Sequence, residues 1–427
     1  MGLTDRLVGA EADVLTDERF RVVLLGSVVS PMGSSVVSPL LDSLTGVYGV
    51  SGAQIGLLMA AFTAPSIVAI PLVGAVSDRY GRKPVLTVGL ALFGAAGLAL
   101  AFTDDFRAVV ALRLLQGVGY TGLGPVLIAA TGDLFSGDRE ATAQGLRFTT
   151  VGLSLALFPF LAGLLVALSW RYPFALFALG LPAALVVFLT FEEPDGGADD
   201  GDGGDGADDD DEARDGDDFD VRRLVRLVTD PSVGLVLVGR AVPSVVWFAF
   251  LTYNSIVVVR LLGGTPGVAG ALVALASVAS SVGGTQVGRL TAAFDRRRRP
   301  LLAATAVCAV GLAGVAFAPS VPVAAGAAVV VGSGFGVTLT LYRSTVSTLA
   351  PDDLRGSLVS LGESSGRVGS TVVPVAMGAA VAVAAPSLGF GPAVRWTLLG
   401  VAAVAVVVGG ACVLVADGGE TDGTTHA

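Results

Sequence analysis

Twelve apolar blocks, most of them close to twenty residues or longer and separated by short polar loops, run through this chain of 427 residues. A helix that crosses a hydrocarbon layer needs about 20 mostly apolar residues. Backbone in that layer must satisfy its own polar groups, which leaves helices or closed barrels. The blocks lie near 20–43, 53–76, 84–103, 107–132, 142–168 and 172–191, then near 232–258, 267–291, 300–318, 321–348, 357–384 and 394–416. Pro31, Pro39, Pro159 and Pro374 fall inside them, which membrane helices tolerate because neighbours satisfy the freed carbonyls. The pattern predicts an all-α integral membrane protein with twelve transmembrane helices. Composition agrees: 53% of residues are hydrophobic and 15% charged, against about 25% charged in a soluble domain.

The formal charge of −10 belongs to one segment. Residues 192–220 hold sixteen of the 36 acids and one of the 26 bases, so the remainder carries 20 acids against 25 bases. This run of Asp, Gly and Glu cannot form a core and is expected to be a disordered, extended linker over 192–230. One stretch in it, Gly203 to Asp208, fits a single calcium-binding nonapeptide unit, but such units work in stacked copies. Lys83 is the only lysine. Lysine scarcity beside an Asp-rich segment predicts a halophilic, archaeal source. Cys308 and Cys412 both lie in apolar blocks and the one histidine is His426. These exclude a disulfide framework, a CxxC metal motif and histidine-based catalysis. Residues 1–19 are polar and lack the apolar stretch of a cleavable leader.

Basic residues set the orientation. They gather in 78–84, in 295–300 and in Arg222, Arg223 and Arg226, while the alternate loops are almost free of them. Both termini and the linker are therefore expected in the cytoplasm, with the chain multi-pass in the cell membrane.

The two sets of six helices repeat. Gly74 and Gly288 are 214 residues apart. Gly117 and Gly332, Gly119 and Gly334, Pro159 and Pro374, and Gly163 and Gly378 are each 215 apart, and Arg139 and Arg355 are 216 apart. This offset predicts two six-helix bundles of one design, over 20–191 and 231–416, flanked by a cytoplasmic segment 1–19 and a tail 417–427. Parallel repeats of this kind build alternating-access carriers, with the site at their interface near mid-membrane.

The loop between the second and third helices reads Gly74-Ala75-Val76-Ser77-Asp78-Arg79-Tyr80-Gly81-Arg82-Lys83-Pro84. Gly74 suits a close helix approach, Gly81 a tight turn, and Asp78 a helix N-terminus. The stretch resembles the GxxxDRxGR(K/R)P signature of the major facilitator superfamily. Arg113 to Gly119 on the fourth helix resembles that family's RxxQGxG motif. Asp133-Leu134-Phe135 with Arg139 and Gly145 resembles its following loop, Trp170 to Phe174 the start of its sixth helix, and Pro351 to Gly356 a second-half loop. The resemblance implies a transporter close to the drug/proton antiporter-like branch. It implies gating roles for Gly74, Asp78, Arg79, Gly81, Arg82, Lys83, Asp133 and Arg139, with Asp78 latching the halves by reaching the start of the eleventh helix and Asp133 pairing with the motif's arginines. Two stretches depart from the family. The 8–9 loop has Ala292 and Ala293 at the Asp and Arg positions. The fifth helix keeps only Pro159 and Gly163 of the antiporter pattern GxxxGPxxGG.

Ionisable groups inside membrane helices are functional candidates by default. Arg113, roughly 10 Å along the fourth helix, either faces a cavity with Gln116 or bonds to backbone and orients its helix. Glu363 and Arg367 are spaced for an i,i+4 pair, with Glu363 alternatively a proton-carrying group. Asp42 reads as interfacial or as a coupling group. Arg147 and Arg240 reach a polar face by snorkelling or are functional. In the resembled family the first, fourth, seventh and tenth helices line the cavity. Here these offer Ser34, Ser35, Tyr120, Trp247, Tyr253, Asn254, Thr338 and Tyr342, an apolar mix with a few hydroxyls and amides that suits an amphipathic compound.

The expected function is proton-coupled efflux of amphipathic compounds by a secondary active, monomeric transporter. The alternatives are an ion-coupled uptake symporter for a small metabolite or organic anion, and a transporter-like receptor. No enzyme chemistry, metal, cofactor or nucleic-acid partner is expected. The partners are the substrate, H+ or Na+, and membrane lipid. No GxxxxGK(S/T) loop is present, so the driving force is an ion or solute gradient. Single cysteines at positions 80 and 297 should react with an impermeant maleimide from the same side of the membrane. Labelling from opposite sides would overturn the topology.

Overall fold

The computed structural model describes residues 12–192, 229–294, 298–349 and 355–416; the acidic linker, Arg296, Arg297, the 350–354 loop and His426 lie outside them. Every regular element among the described residues is helical. Twelve spans follow in order: α1 Glu18–Tyr48, α2 Leu57–Ile70 with Leu72–Tyr80, α3 Arg82–Phe102, α4 Phe106–Leu134, α5 Gly137–Val166 and α6 Tyr172–Thr190. The second set is α7 Val233–Leu261, α8 Pro266–Thr285, α9 Arg298–Ala316, α10 Val321–Ser347, α11 Leu358–Leu388 and α12 Phe390–Leu414. The two segments of α2 meet at 61°, where a single straight helix was expected. The sequence places Pro71 at that break, and proline withdraws one N–H from the helical ladder.

Helix ends follow local chemistry. Asp17 caps α1, its carboxylate accepting from the Arg19 and Phe20 amides at 2.8 and 3.1 Å. Gly81, at φ 90°, turns α2 into α3 without a connecting loop. α5 begins at Gly137, five residues before the apolar pattern does, because Asp138 and Glu140 in its first turn suit the positive end of the helix dipole. Prolines Pro31 and Pro39 break α1 into short helical pieces. The Pro31 carbonyl accepts from Ser35 Oγ at 2.9 Å, and that of Pro39 accepts from Ser255 Oγ of α7 at 2.8 Å. α7 ends in a turn of π-helix over Val257–Leu261.

The repeat reappears as matched contacts. A Cβ on Gly117 would lie 2.3 Å from the Phe62 carbonyl, and one on Gly332 would lie 2.0 Å from that of Ala276. Gly119 meets Phe93 N at 2.6 Å as Gly334 meets Cys308 N at 2.5 Å. The same correspondence holds between the halves. Gly56 abuts the Pro374 carbonyl and Gly378 that of Ala53, joining α2 to α11; Gly270 abuts the Pro159 carbonyl and Gly163 that of Pro266, joining α8 to α5. All four contacts lie toward the face opposite the basic loops. On the basic-loop face no described atom comes within 4 Å of a Cβ on Gly74 or Gly288. No described residue therefore makes the close approach expected at Gly74. The closest described contacts between the halves lie toward the face opposite the basic loops.

Lipid-facing helices gain no hydrophobic drive toward each other, so such contacts carry the packing. Gly117→Ala is expected to cost about 1–3 kcal/mol by overpacking. Gly124→Ala, whose Cβ meets no described atom within 4 Å, should gain the roughly 0.5–1 kcal/mol of a helical Gly-to-Ala exchange. Thermal unfolding of both variants in detergent, followed by size-exclusion, checks the contrast, and equal midpoints would contradict it.

Candidate functional site

A cavity of about 250 Å³ lies between the halves. Ser30, Pro31 and Ser34 of α1, Phe62 of α2, Tyr120 of α4, and Val151 and Leu155 of α5 form one wall. The facing wall comes from α7, α8, α10 and α11. α7 gives Arg240, Ser244, Trp247 and Phe248, and α11 gives Glu363, Gly366, Arg367 and Ser370. Both sets follow the three- and four-residue spacing of one helix face. α10 adds Phe335, Leu339 and Arg343 at four-residue intervals, and α8 adds Ser277 and Ser280.

Three arginines surround one carboxylate. Arg240, only 3% exposed, donates from Nη2 to Glu363 Oε1 at 2.9 Å. Arg343 donates from Nε to the same oxygen at 2.8 Å and from Nη2 to Oε2 at 3.2 Å. Arg367 donates from Nη2 to the Tyr120 hydroxyl at 3.0 Å, with its guanidinium 5.0 Å from that ring's centroid. The i,i+4 pair of Glu363 with Arg367 is thus corrected: other helices supply both partners, and Arg367 reaches across to the first half. Buried charge needs a counter-charge and hydrogen bonds to persist, and α7, α10 and α11 meet through this cluster. Arg240 lies buried on Glu363 rather than snorkelling to the basic-loop face. Arg147, 4% exposed, bonds Gln144 Oε1 at 3.0 Å and does not snorkel either.

Arg113 takes the structural alternative. It lies behind Phe62, 4.4 Å from the ring centroid, and is 1% exposed. Its Nε donates to Leu58 O at 2.9 Å, and Nη1 donates to Gly33 O at 2.9 Å and to Gln116 Oε1 at 2.7 Å. Backbone carbonyls of α1 and α2 and the neighbouring amide hold it, and neither Arg113 nor Gln116 lines the cavity; Arg113 Nη2 and Gln116 Nε2 are buried without a partner among the described residues.

Of the expected cavity residues, Ser34, Tyr120 and Trp247 line it. Ser35 faces away and bonds within α1. Tyr253 lies in the seal, its hydroxyl donating to Gly52 O at 3.4 Å, and Asn254 Nδ2 donates to Ala269 O at 2.9 Å. Thr338 is buried, and Tyr342 packs on Gly239 of α7. These five sit one residue round, or two turns along, from the lining positions. The residue passed over is Arg343, next to Tyr342 in an apolar helix. Its own charge was the available signal.

On the sealed face Asp42 meets Arg260 of the π turn, which also reaches Thr45 Oγ1. Ser38 Oγ donates to Leu251 O at 2.6 Å beside them. Asp42 is thus partnered across the halves by an arginine that was grouped with the nearly base-free loops. Nearer mid-membrane, Thr63 and Thr371 hydroxyls lie 2.8 Å apart. On the basic-loop face, Arg82 bridges Asp78 and Asp133, with Nε 2.9 Å from Asp133 Oδ2. The Asp78 side chain is 71% exposed there. Arg79 lies against the Tyr80 ring, Lys83 is 5.9 Å from the Phe188 centroid, and Arg139 donates to Asp13 Oδ2 at 2.9 Å.

Residues 23–374 match the Major Facilitator Superfamily. The chain belongs to that superfamily. Among curated superfamily proteins it is 33% identical over 162 residues to the bacillibactin exporter of Bacillus subtilis, covering 36% of this chain and 40% of that protein. It is 25% identical over 164 residues to the quinolone resistance protein NorA of Staphylococcus aureus, covering 38% and 42%. The matched stretch thus spans about two fifths of the length of these relatives. Among solved structures, a bacterial homologue of the human lysosomal transporter Spinster, inward-facing and unoccupied, superposes with TM-score 0.77 at 15% identity over 93% of this chain and 96% of that one. A D-xylose–proton symporter gives 0.70 at 16% identity over 92% and 96%. These likenesses show the transporter fold, and the chain is a multi-pass membrane protein.

The Asp42–Arg260 pair carries a prediction. With the four native contacts around it, Arg260→Gln removes a half-buried ion pair worth about 1 kcal/mol, a factor of about 5 in the sealed-to-open ratio. A cysteine replacing Ser38, which is 0% exposed, should then react about fivefold faster with an impermeant maleimide. An unchanged rate would show that the pair does not hold the seal.

Proposed function

We propose that this protein is a monomeric secondary active transporter of the cell membrane that expels amphipathic compounds in exchange for protons. The observation that carries the reading is Glu363, an ionisable carboxylate set between Arg240 and Arg343 in a cavity at the interface of the halves. By the positive-inside rule the basic-loop face is cytoplasmic, with both termini on that side. The open cavity then faces the compartment from which an exporter loads. Protonation of Glu363 would neutralise the one carboxylate holding two arginines and loosen α11 from α7 and α10. The names of the bacillibactin exporter and the quinolone resistance protein fit export. We assign Asp78 the latch that engages the start of α11 once the cytoplasmic side closes, with Arg82 and Asp133 holding the loop in the meantime. The low lysine content supports a halophilic source.

A second reading rests on the same cluster: with three arginines against one glutamate, the cavity suits uptake of an organic anion together with protons. Purified protein in vesicles with an imposed pH gradient separates the two by the direction of flux. Saturable, gradient-driven movement of an amphipathic compound against the proton flow, reduced at least tenfold in Glu363→Gln, is the expected result. Flux equal to that of protein-free vesicles would remove the transport reading, and movement with the proton flow would replace export by symport.

A further inference from the structure

Resting on the transport reading, the cavity also defines the charge of its cargo. We propose that the protein carries amphiphiles bearing one anionic group, a carboxylate or sulfonate, which seats on Arg343 and Arg367 in competition with Glu363. Three guanidinium groups and one carboxylate line the cavity, a formal excess of two positive charges. Glu363 is already engaged: Oε1 accepts from both Arg240 and Arg343, and Oε2 from Arg343. Arg367 has a neutral phenol as its hydrogen-bond partner, and no carboxylate among the described residues lies within ion-pair distance of it. A guanidinium whose one hydrogen bond goes to a hydroxyl keeps donors free for an anion. Arg343 is 48% exposed, so its outer edge is open to a ligand while its inner edge holds Glu363.

The rest of the cavity selects the body of the ligand. Trp247 and Phe335 stack at 4.5 Å with planes 12° apart, and Phe62 and Tyr120 lie 4.8 Å apart on the opposite wall. Two aromatic surfaces thus face one another across the arginine cluster. A volume of about 250 Å³ is just below the usual span of ~300–1,000 Å³ for small-molecule sites, which favours a compact body of about two fused rings. A cation would enter a site already carrying excess positive charge, with the one carboxylate occupied. An anion and Glu363 compete for Arg343, so cargo binding and protonation of Glu363 favour each other, the coupling that the proton-symport reading needs.

Equilibrium binding to the purified full-length protein tests this with three probes of one shape: 2-naphthoate, 2-naphthalenemethanol and 2-naphthylmethylammonium. Naphthoate should bind at least tenfold tighter than the alcohol, and the ammonium weakest. Arg367→Gln and Arg343→Gln should each weaken naphthoate at least tenfold, while Arg367→Lys stays within a few fold of the parent. Glu363→Gln should tighten naphthoate several-fold, because an amide is a poor competitor for guanidinium; a purely structural role for Glu363 predicts weakening instead. Tighter binding of the ammonium, equal binding of all three, or no binding of any would overturn the proposal. Ammonium flux in the vesicle assay would do so while leaving the transport reading intact. Naphthoate binding without flux would support the anion site and remove the transport reading.

Discussion

The structure depends on backbone meeting backbone. In hydrocarbon every N–H and C=O must be satisfied within the protein, and apolar side chains gain little by leaving lipid for protein. Helices then associate where small residues let their main chains touch. Gly117 and Gly332 do so against carbonyls within each half, and Gly56, Gly163, Gly270 and Gly378 do so between halves. A methyl group at any of these positions would fall within 2.7 Å of a carbonyl oxygen. Such contacts are short-ranged and depend on shape, so they form completely or not at all. That property suits an interface that must close on one face and open on the other.

Because the contacts between halves come in two matched pairs, α2 with α11 and α5 with α8, opening one face need not break the packing inside either bundle. The sealed face joins them through glycine–carbonyl contacts, the Ser38 and Ser255 hydrogen bonds and the Asp42–Arg260 pair. The open face shows Gly74 and Gly288 at equivalent positions, each with room for a side chain beside it. These two glycines come from the same repeat as the tight ones.

Much of this was legible in the sequence. Block length gave the helices, and a constant offset near 215 paired residues that turn out to make the same contact in each half, down to Phe93 and Cys308. Helix rotation was not legible. Most of these helices are apolar on both the lipid and the protein side, so no polar stripe announces which face turns inward. Ser34 and Ser35 differ by about 100° of rotation, and only the first reaches the cavity. The partners of charged groups were also hidden. Glu363 has a well-spaced arginine on its own helix, yet side chains from α7 and α10 approach its carboxylate from inside the bundle, while Arg367 points to the other half. Sequence distances of 123 and 247 residues separate Glu363 from Arg240 and Arg367 from Tyr120, and no local rule spans them.

The arginines in and beside the cavity divide by what they hydrogen-bond. Arg113 is held by two carbonyls and an amide, partners that no proton can remove. Arg240 and Arg343 are held by a carboxylate, which a proton can. Protonation of that carboxylate would leave Arg240, 3% exposed, without its counter-charge. The helix that bears Glu363 also bears Thr371, Pro374 and Gly378, which meet Thr63, Gly56 and Ala53 in the seal. The cavity carboxylate and the contacts at the sealed face therefore sit on one continuous helix, α11.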